Sequence, residues 1–230
     1  MKATFDFSRK DIPYYIILLS APVLLTIYRY HGYPGTFNLW SDFGWPVDQA
    51  VAVTQFFIFF ILVLVIPALY ILLGTDKRMR DFGVSLGDYR FGLKLLGLIP
   101  LVILPVIYFA AKMPDVRSEY PLAKSLLTDQ SHLLGYELAY VLLYYIAWEF
   151  FFRGFILFGL KEKYGAVAAI LIQTISSCLV HIDKPEGEII GSIIVGILFG
   201  MIALRTRSIW YVVILHASIG VLTDLFIIYG

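Results

Sequence analysis

Charged residues are scarce in this sequence. Asp, Glu, Lys and Arg make up 15% of its 230 residues, whereas a soluble domain usually carries roughly 25% to cover its surface. The formal charge is only +1 at pH 7, so there is no basic excess of the kind that attracts nucleic acid. These shortages argue against a soluble globular protein and against a nucleic-acid partner.

Cysteine is almost absent as well. The single cysteine, Cys178, excludes an internal disulfide framework. The sequence also lacks internal repeats, low-complexity tracts and any stretch with the composition of a separate soluble domain. We therefore expect one domain over residues 1–230.

Long apolar runs are what the chain does contain. Of its residues 60% are hydrophobic, and the mean hydropathy is +0.81. About seven segments approach the roughly 20 residues that cross a bilayer; they are 12–30, 50–73, 92–111, 133–160, 164–182, 189–204 and 209–228. The fourth is long enough to begin with an additional helix at the interface, which would make eight. The sequence thus predicts an all-α, polytopic helical bundle in a lipid bilayer.

The distribution of Lys and Arg predicts the orientation of this bundle. With a cytoplasmic N-terminus, the inner segments hold 12 of the 18 basic residues and the outer ones 5, with Arg153 inside the membrane. Inner loops normally carry this excess. Residues 1–11 contain no small-residue cleavage site, so we interpret the first apolar segment as retained rather than as a signal peptide. The expected location is the plasma membrane.

Two charged residues interrupt the run "YYIAWEFFFRGFILFGL" at 144–160. Glu149 and Arg153 are four residues apart and share one helix face. An ionised group near the bilayer centre costs about 2.5–3.5 kcal/mol on insertion scales. One interpretation is a buried ion pair that braces neighbouring helices. The other is that Arg153 orients a carboxylate that acts on another molecule.

Two histidines favour the second interpretation. His181 ends the fifth apolar segment and His216 lies in the seventh, so with Glu149 three segments each supply one acid–base group. Such a set can activate water and polarise a carbonyl group. Glu149, His181 and His216 could instead bind zinc with water in the open position. The sequence contains no HExxH pair, and it leaves zinc open as a cofactor.

The order of these motifs resembles a known family. "ExxxRG" at Glu149 is followed by His181, by "RTRSIW" at 205–210 and by His216, as in the CAAX protease and bacteriocin-processing family. These intramembrane endopeptidases are related to the CAAX prenyl endopeptidase of the Ras-converting type. The resemblance covers about residues 135–220, and "DFGVSLGDYRFGL" at 81–93 is similar to a segment that often precedes the family core.

The resemblance implies hydrolysis of a peptide bond in a membrane-anchored peptide or protein. Glu149 would be the catalytic base, kept ionised and oriented by Arg153. His181 would help to hold the water, and His216 would stabilise the oxyanion. This glutamate-and-histidine chemistry would not require a metal.

Three positions depart from the family pattern. Trp148 stands where the first of two motif acids is usual, Gly220 replaces an Asn or Asp four residues after His216, and Ser177 replaces a Phe. Because the first acid is the one taken as the base, the departures leave the proton acceptor open. We expect Trp148 to line the cavity or its rim.

Several alternatives follow from these departures. Glu149 could be the base, or Glu186 or Glu188 could reach in from the start of the next helix, although acids there also stabilise the helix dipole. Glu188 is therefore a supporting candidate. The remaining alternatives are a catalytically inactive binding or scaffold protein of the same fold and a small-solute carrier. The peptidase reading predicts that Glu149, His181 and His216 face one cavity and that Arg153 contacts Glu149.

Overall fold

The computed structural model describes residues 8–33 and 44–230. Within these ranges the chain forms helices joined by loops and contains no strand, which confirms the all-α prediction. We number the helices α1 (Ile12–His31), α2 (Val47–Gly74), α3 (Tyr89–Ala110), α4 (Pro114–Glu119), α5 (Leu133–Leu179), α6 (Glu186–Thr206) and α7 (Trp210–Tyr229). In the described part, six helices, all but α4, are long and apolar enough to span a membrane. Lys2, which entered the orientation prediction, lies outside the described residues.

Helix α5 is the longest element and folds back on itself. Its 47 residues would extend roughly 70 Å if straight, far more than the bilayer core. Gly165 breaks it with φ 81° and ψ 163°, a conformation that glycine adopts without a Cβ clash. The limbs 133–164 and 166–179 then run side by side. As a result, the ring of Trp148 in the first limb lies 5.2 Å from the ring of His181, just beyond the second limb. The division predicted between segments 133–160 and 164–182 falls at this break.

The first limb of α5 contains two widened turns. Tyr140–Tyr145 and Phe150–Ile156 are π-helical and flank the α-helical turn Ile146–Glu149. Such turns are uncommon and occur frequently at functional sites. They change which side chains share a helix face, and they do so directly beside Glu149.

Burial shows that α5 is the centre of the bundle. Of its most apolar window 72% is buried, against 6% for α3 and 11% for α1. Its own phenylalanines at 150, 151, 152 and 155 are almost completely buried. Helices α1 and α3 leave most of their surface free to face lipid, whereas α5 is enclosed by protein.

Two segments singled out in the sequence meet at one end of the bundle. The loop before α3 accepts a hydrogen bond at Gly83 O from Ile209 N (3.0 Å), and Asp88 N donates to Thr206 O (2.7 Å). Tyr211 adds a hydroxyl bond to Leu86 O at 2.7 Å. "DFGVSLGDYRFGL" and "RTRSIW" therefore fasten α3 to the α6–α7 turn and hold the helices that carry the site.

Candidate active site

Glu149 lies at the centre of a buried charged group. Its carboxylate is fully buried, and Oε1 accepts a hydrogen bond from Arg153 Nη1 at 3.2 Å. His216 Nδ1 lies 2.6 Å from the same oxygen. Because a carboxylate only accepts hydrogen bonds, we assign the proton to Nδ1. The predicted contact between Arg153 and Glu149 is confirmed, and His216 from α7 is joined to it.

His181 is held by the end of the α5 hairpin. It lies two residues beyond α5, and its Nδ1 donates to the carbonyl oxygen of Ser177 at 2.9 Å. This bond assigns the proton to Nδ1 and leaves Nε2 as an acceptor. Nε2 lies 3.9 Å from Oε1 of Glu188 in the first turn of α6.

The two histidines line one small cavity. Its volume is about 60 Å³, and its polar lining includes His181, His216 and Glu188, with Tyr120, Tyr145 and Trp148 in its aromatic wall. A water molecule occupies roughly 30 Å³ in the liquid, so the cavity accommodates water but not a peptide. Entry of a peptide therefore requires side chains or helix ends around it to move.

Glu149 does not line this cavity, which differs from the expected arrangement of three residues around one space. The indole of Trp148 packs against both cavity histidines, with its ring 5.2 Å from His181 and 5.8 Å from His216. Successive helical residues point about 100° apart, so Trp148 and Glu149 face different sides. The prediction that Trp148 lines the cavity is confirmed, and Glu149 reaches the cavity only through His216.

Gly220 has a structural partner that the sequence did not reveal. A Cβ added there would lie 1.7 Å from the hydroxyl oxygen of Tyr145, so glycine creates the space that this hydroxyl occupies. The Tyr145 ring is also 4.8 Å from the His216 ring. A glycine inside an apolar helix is a weak sequence signal for such a close approach. The Tyr145 hydroxyl thus occupies the space beside Gly220, the position at which the family usually has an Asn or Asp.

Tyr120 is a second residue that sequence reasoning missed. Its hydroxyl donates to Glu188 Oε1 at 2.7 Å, and burial, followed by the charge of Glu188, raises the pKa of Tyr120 well above its usual value. The phenol therefore remains a hydrogen-bond donor at neutral pH. Tyr120 belongs to the loop between α4 and α5, which carries no recognisable motif.

The proposed zinc ligands do not form a metal-binding group. Within residues 8–33 and 44–230, no three His, Cys, Asp or Glu side chains are grouped suitably for a metal ion. Oε1 of Glu149 already bonds Arg153 and His216. His181 instead bonds the carbonyl oxygen of Ser177 and lines a cavity that Glu149 does not line. Glu149, His181 and His216 therefore do not fit zinc in this arrangement.

Comparison with known proteins identifies the part of the chain that carries this site. Residues 130–222 match the family model Rce1-like, described as type II CAAX prenyl endopeptidase. No curated protein and no solved structure matches the chain. The match confirms the resemblance to the CAAX protease family over a region that contains every cavity residue discussed above except Tyr120. With its apolar helices, the chain is an integral membrane protein, and the matched region is similar to a family of membrane proteases.

Proposed function

We propose that this protein is an intramembrane endopeptidase of the CAAX-protease type that hydrolyses a peptide bond in a membrane-anchored peptide or protein. One observation carries the proposal. Within the family-matched region, three separate segments deliver His181, Glu188 and His216 to one cavity of water-holding size. Activation of water needs this combination of a proton acceptor and polar groups around a shielded space.

In the proposed mechanism His216 stabilises the oxyanion. When the ring is protonated, Nδ1–H donates to Glu149 and Nε2–H remains free for the developing negative charge. Glu149 is then the group that orients and balances the imidazolium, as a carboxylate does behind a catalytic histidine. Arg153 balances the charge of Glu149. In this scheme any proton transfer from water to Glu149, the base predicted from the sequence, runs by way of His216.

In the proposed mechanism His181 holds the attacking water. Its Nε2 is left as an acceptor by the Nδ1 bond to Ser177, and it faces the cavity beside Glu188. A water that donates to Nε2 keeps a lone pair for attack on a carbonyl carbon. The two histidines thus have separate roles, one on the nucleophile and one on the oxyanion.

Purified protein in liposomes tests the proposal. Wild type should cleave a membrane-anchored peptide, offered in prenylated and unmodified forms. His181→Ala and His216→Ala should each lose about 10²–10⁴-fold in rate while remaining folded in detergent. A wild type inert on both peptides would contradict the proposal.

The proposal includes a plasma-membrane location with a cytoplasmic N-terminus. In that orientation the loops that carry Tyr120 and Lys184 lie on the outer side, so the cavity is approached from there or from the bilayer. Ser118→Cys, at an exposed position of α4, in a Cys178→Ser background should react with an impermeant thiol reagent added to intact cells. Labelling only after permeabilisation would reverse the orientation.

A non-catalytic scaffold of the same fold is a second candidate. The observation that favours it is Trp148, which packs against both histidines at the position of the family's first acid. This candidate predicts peptide binding without turnover. It also predicts that His181→Ala leaves affinity for the anchored peptide nearly unchanged.

A further inference from the structure

Glu188 is the acid on the wall of the cavity. Among the described residues that line it, Glu188 is the one carboxylic acid. Its side chain is 25% exposed. Glu149, by contrast, is completely buried behind His216. The α5 position from which the family usually supplies the base is occupied by Trp148, whose indole cannot accept a proton from water.

The surroundings of Glu188 form a built site. Tyr120 donates a 2.7 Å hydrogen bond to its Oε1, which fixes one side of the carboxyl group. His181 Nε2 lies 3.9 Å from the same oxygen, too far for a direct bond. A separation above about 3.5 Å between two polar atoms suits a bridging water that bonds both.

We infer that Glu188 is the carboxylate that takes the proton from the attacking water, in place of an acid on α5. This inference rests on the proposed peptidase function. Tyr120 and His181 position the carboxylate and the water respectively. The catalytic acid of this chain would thus come from the first turn of α6, and Glu149 would serve His216 instead.

The step is balanced without any other reactant. One O–H bond of water breaks, its proton goes to the Glu188 carboxylate, and the water oxygen bonds the carbonyl carbon. The carbonyl oxygen becomes an oxyanion that accepts from His216 Nε2–H. Glu188 then returns the proton to the amide nitrogen as the C–N bond breaks, which leaves a carboxylic acid and an amine.

Glu188→Gln is the central test. It keeps the volume and the capacity to accept from Tyr120 but removes the basic group, so kcat should fall by about 10²-fold or more. Glu186→Gln is the matched control, because Glu186 is in the same helical turn, is exposed and does not line the cavity. Glu186→Gln should keep the wild-type rate, and both variants should keep the wild-type melting temperature.

The pH profile separates catalysis from a merely structural role. The titratable groups nearest the Glu188 carboxyl are Tyr120 and His181. At longer range lie Lys184, which is itself bonded to Glu119, and His216, Tyr144 and Tyr145. Tyr120→Phe removes the donor that favours the ionised carboxylate. The acidic limb of the kcat/KM profile should therefore move to higher pH, with little change in the melting temperature.

Glu188→Asp supplies the conservative variant. Its shorter carboxylate should recover part of the activity that Glu188→Gln loses and should restore an acidic limb.

Two results would overturn the inference in distinguishable ways. An active wild type whose Glu188→Gln variant cleaves at the same rate removes Glu188 from the mechanism but leaves the peptidase function intact. A wild type inert on all anchored peptides overturns the inference together with that function.

Discussion

Two groups of buried acids in this bundle differ in how their charge is balanced. Glu149 is fully buried but shares Oε1 with Arg153 and His216. Glu137 and Asp224, on the same helices α5 and α7, are 8% and 0% exposed, and none of their four carboxyl oxygens has a hydrogen-bond partner in the described part of the chain.

The difference shows what the Arg153 position contributes. An arginine one turn after Glu149 supplies a charge partner on the same helix, whereas the acids at 137 and 224 have none on theirs. Removing one partner of a buried pair leaves an uncompensated charge, and a buried polar group without partners lowers stability from the start. Substitutions in the two groups should therefore change stability in opposite directions.

Arg153→Ala should have the largest effect. It leaves the Glu149 carboxylate buried without its guanidinium, and breaking such a pair typically costs about 3–5 kcal/mol. Thermal unfolding in detergent measures the loss.

The double variant Glu149→Gln/Arg153→Met is the control for that loss. It removes both charges while filling most of the volume, so it should recover much of the stability, because apolar replacements of buried pairs are often neutral. A double variant as unstable as Arg153→Ala would show that packing, rather than charge, is responsible.

Gly220→Ala should have the next largest effect, because it disturbs Tyr145, whose ring packs against the His216 that bonds Glu149. The new methyl group would overlap the Tyr145 hydroxyl, and such overpacking typically costs about 1–3 kcal/mol. Gly191→Ala in α6, where a Cβ meets nothing within 4 Å, should instead be neutral or stabilising. Equal melting temperatures for the two variants would contradict the close contact.

Asp224→Asn should raise stability by a smaller amount. It retains the shape of the side chain but removes the need to bury a carboxyl group whose two oxygens have no hydrogen-bond partner among the described residues. The expected gain is on the order of 1 kcal/mol, since the amide also lacks partners. A loss of similar size would mean that Asp224 has a stabilising partner, such as a bound cation, in the membrane.

Asp88→Asn should have the smallest effect and serves as the exposed counterpart of the buried pair. Asp88 bonds Arg205 at 2.8 Å and accepts from Phe91 N at the start of α3, and these bonds lower the pKa of Asp88. The stabilisation is present above the ordinary pKa of aspartate and disappears as pH falls through the lowered value. Melting temperatures at neutral and acidic pH should therefore differ slightly less for Asp88→Asn than for wild type.

Much of the site could be anticipated from residue spacing. The four-residue separation of Glu149 and Arg153 requires one helix face, and the structure contains that contact. The inward direction of Trp148 followed from the motif position it occupies. The shared cavity expected for Glu149, by contrast, was inferred from three segments that each supply one acid–base group. In the structure Trp148 lines the cavity instead, and Glu149 lies behind His216.

The sequence by itself determined the class of this protein, because hydropathy, basic-residue distribution and helical periodicity are local properties of the chain. It also supplied candidate site residues, Glu149, Arg153, His181 and His216, but gave no signal for Tyr120 or Tyr145. Only the tertiary structure decided how they meet. The break at Gly165 sets His181 beside Trp148, α7 brings His216 to Glu149, and the loop after α4 brings Tyr120 to Glu188. These contacts depend on the register between packed helices and loops, which side-chain packing across the whole bundle sets and no single segment encodes.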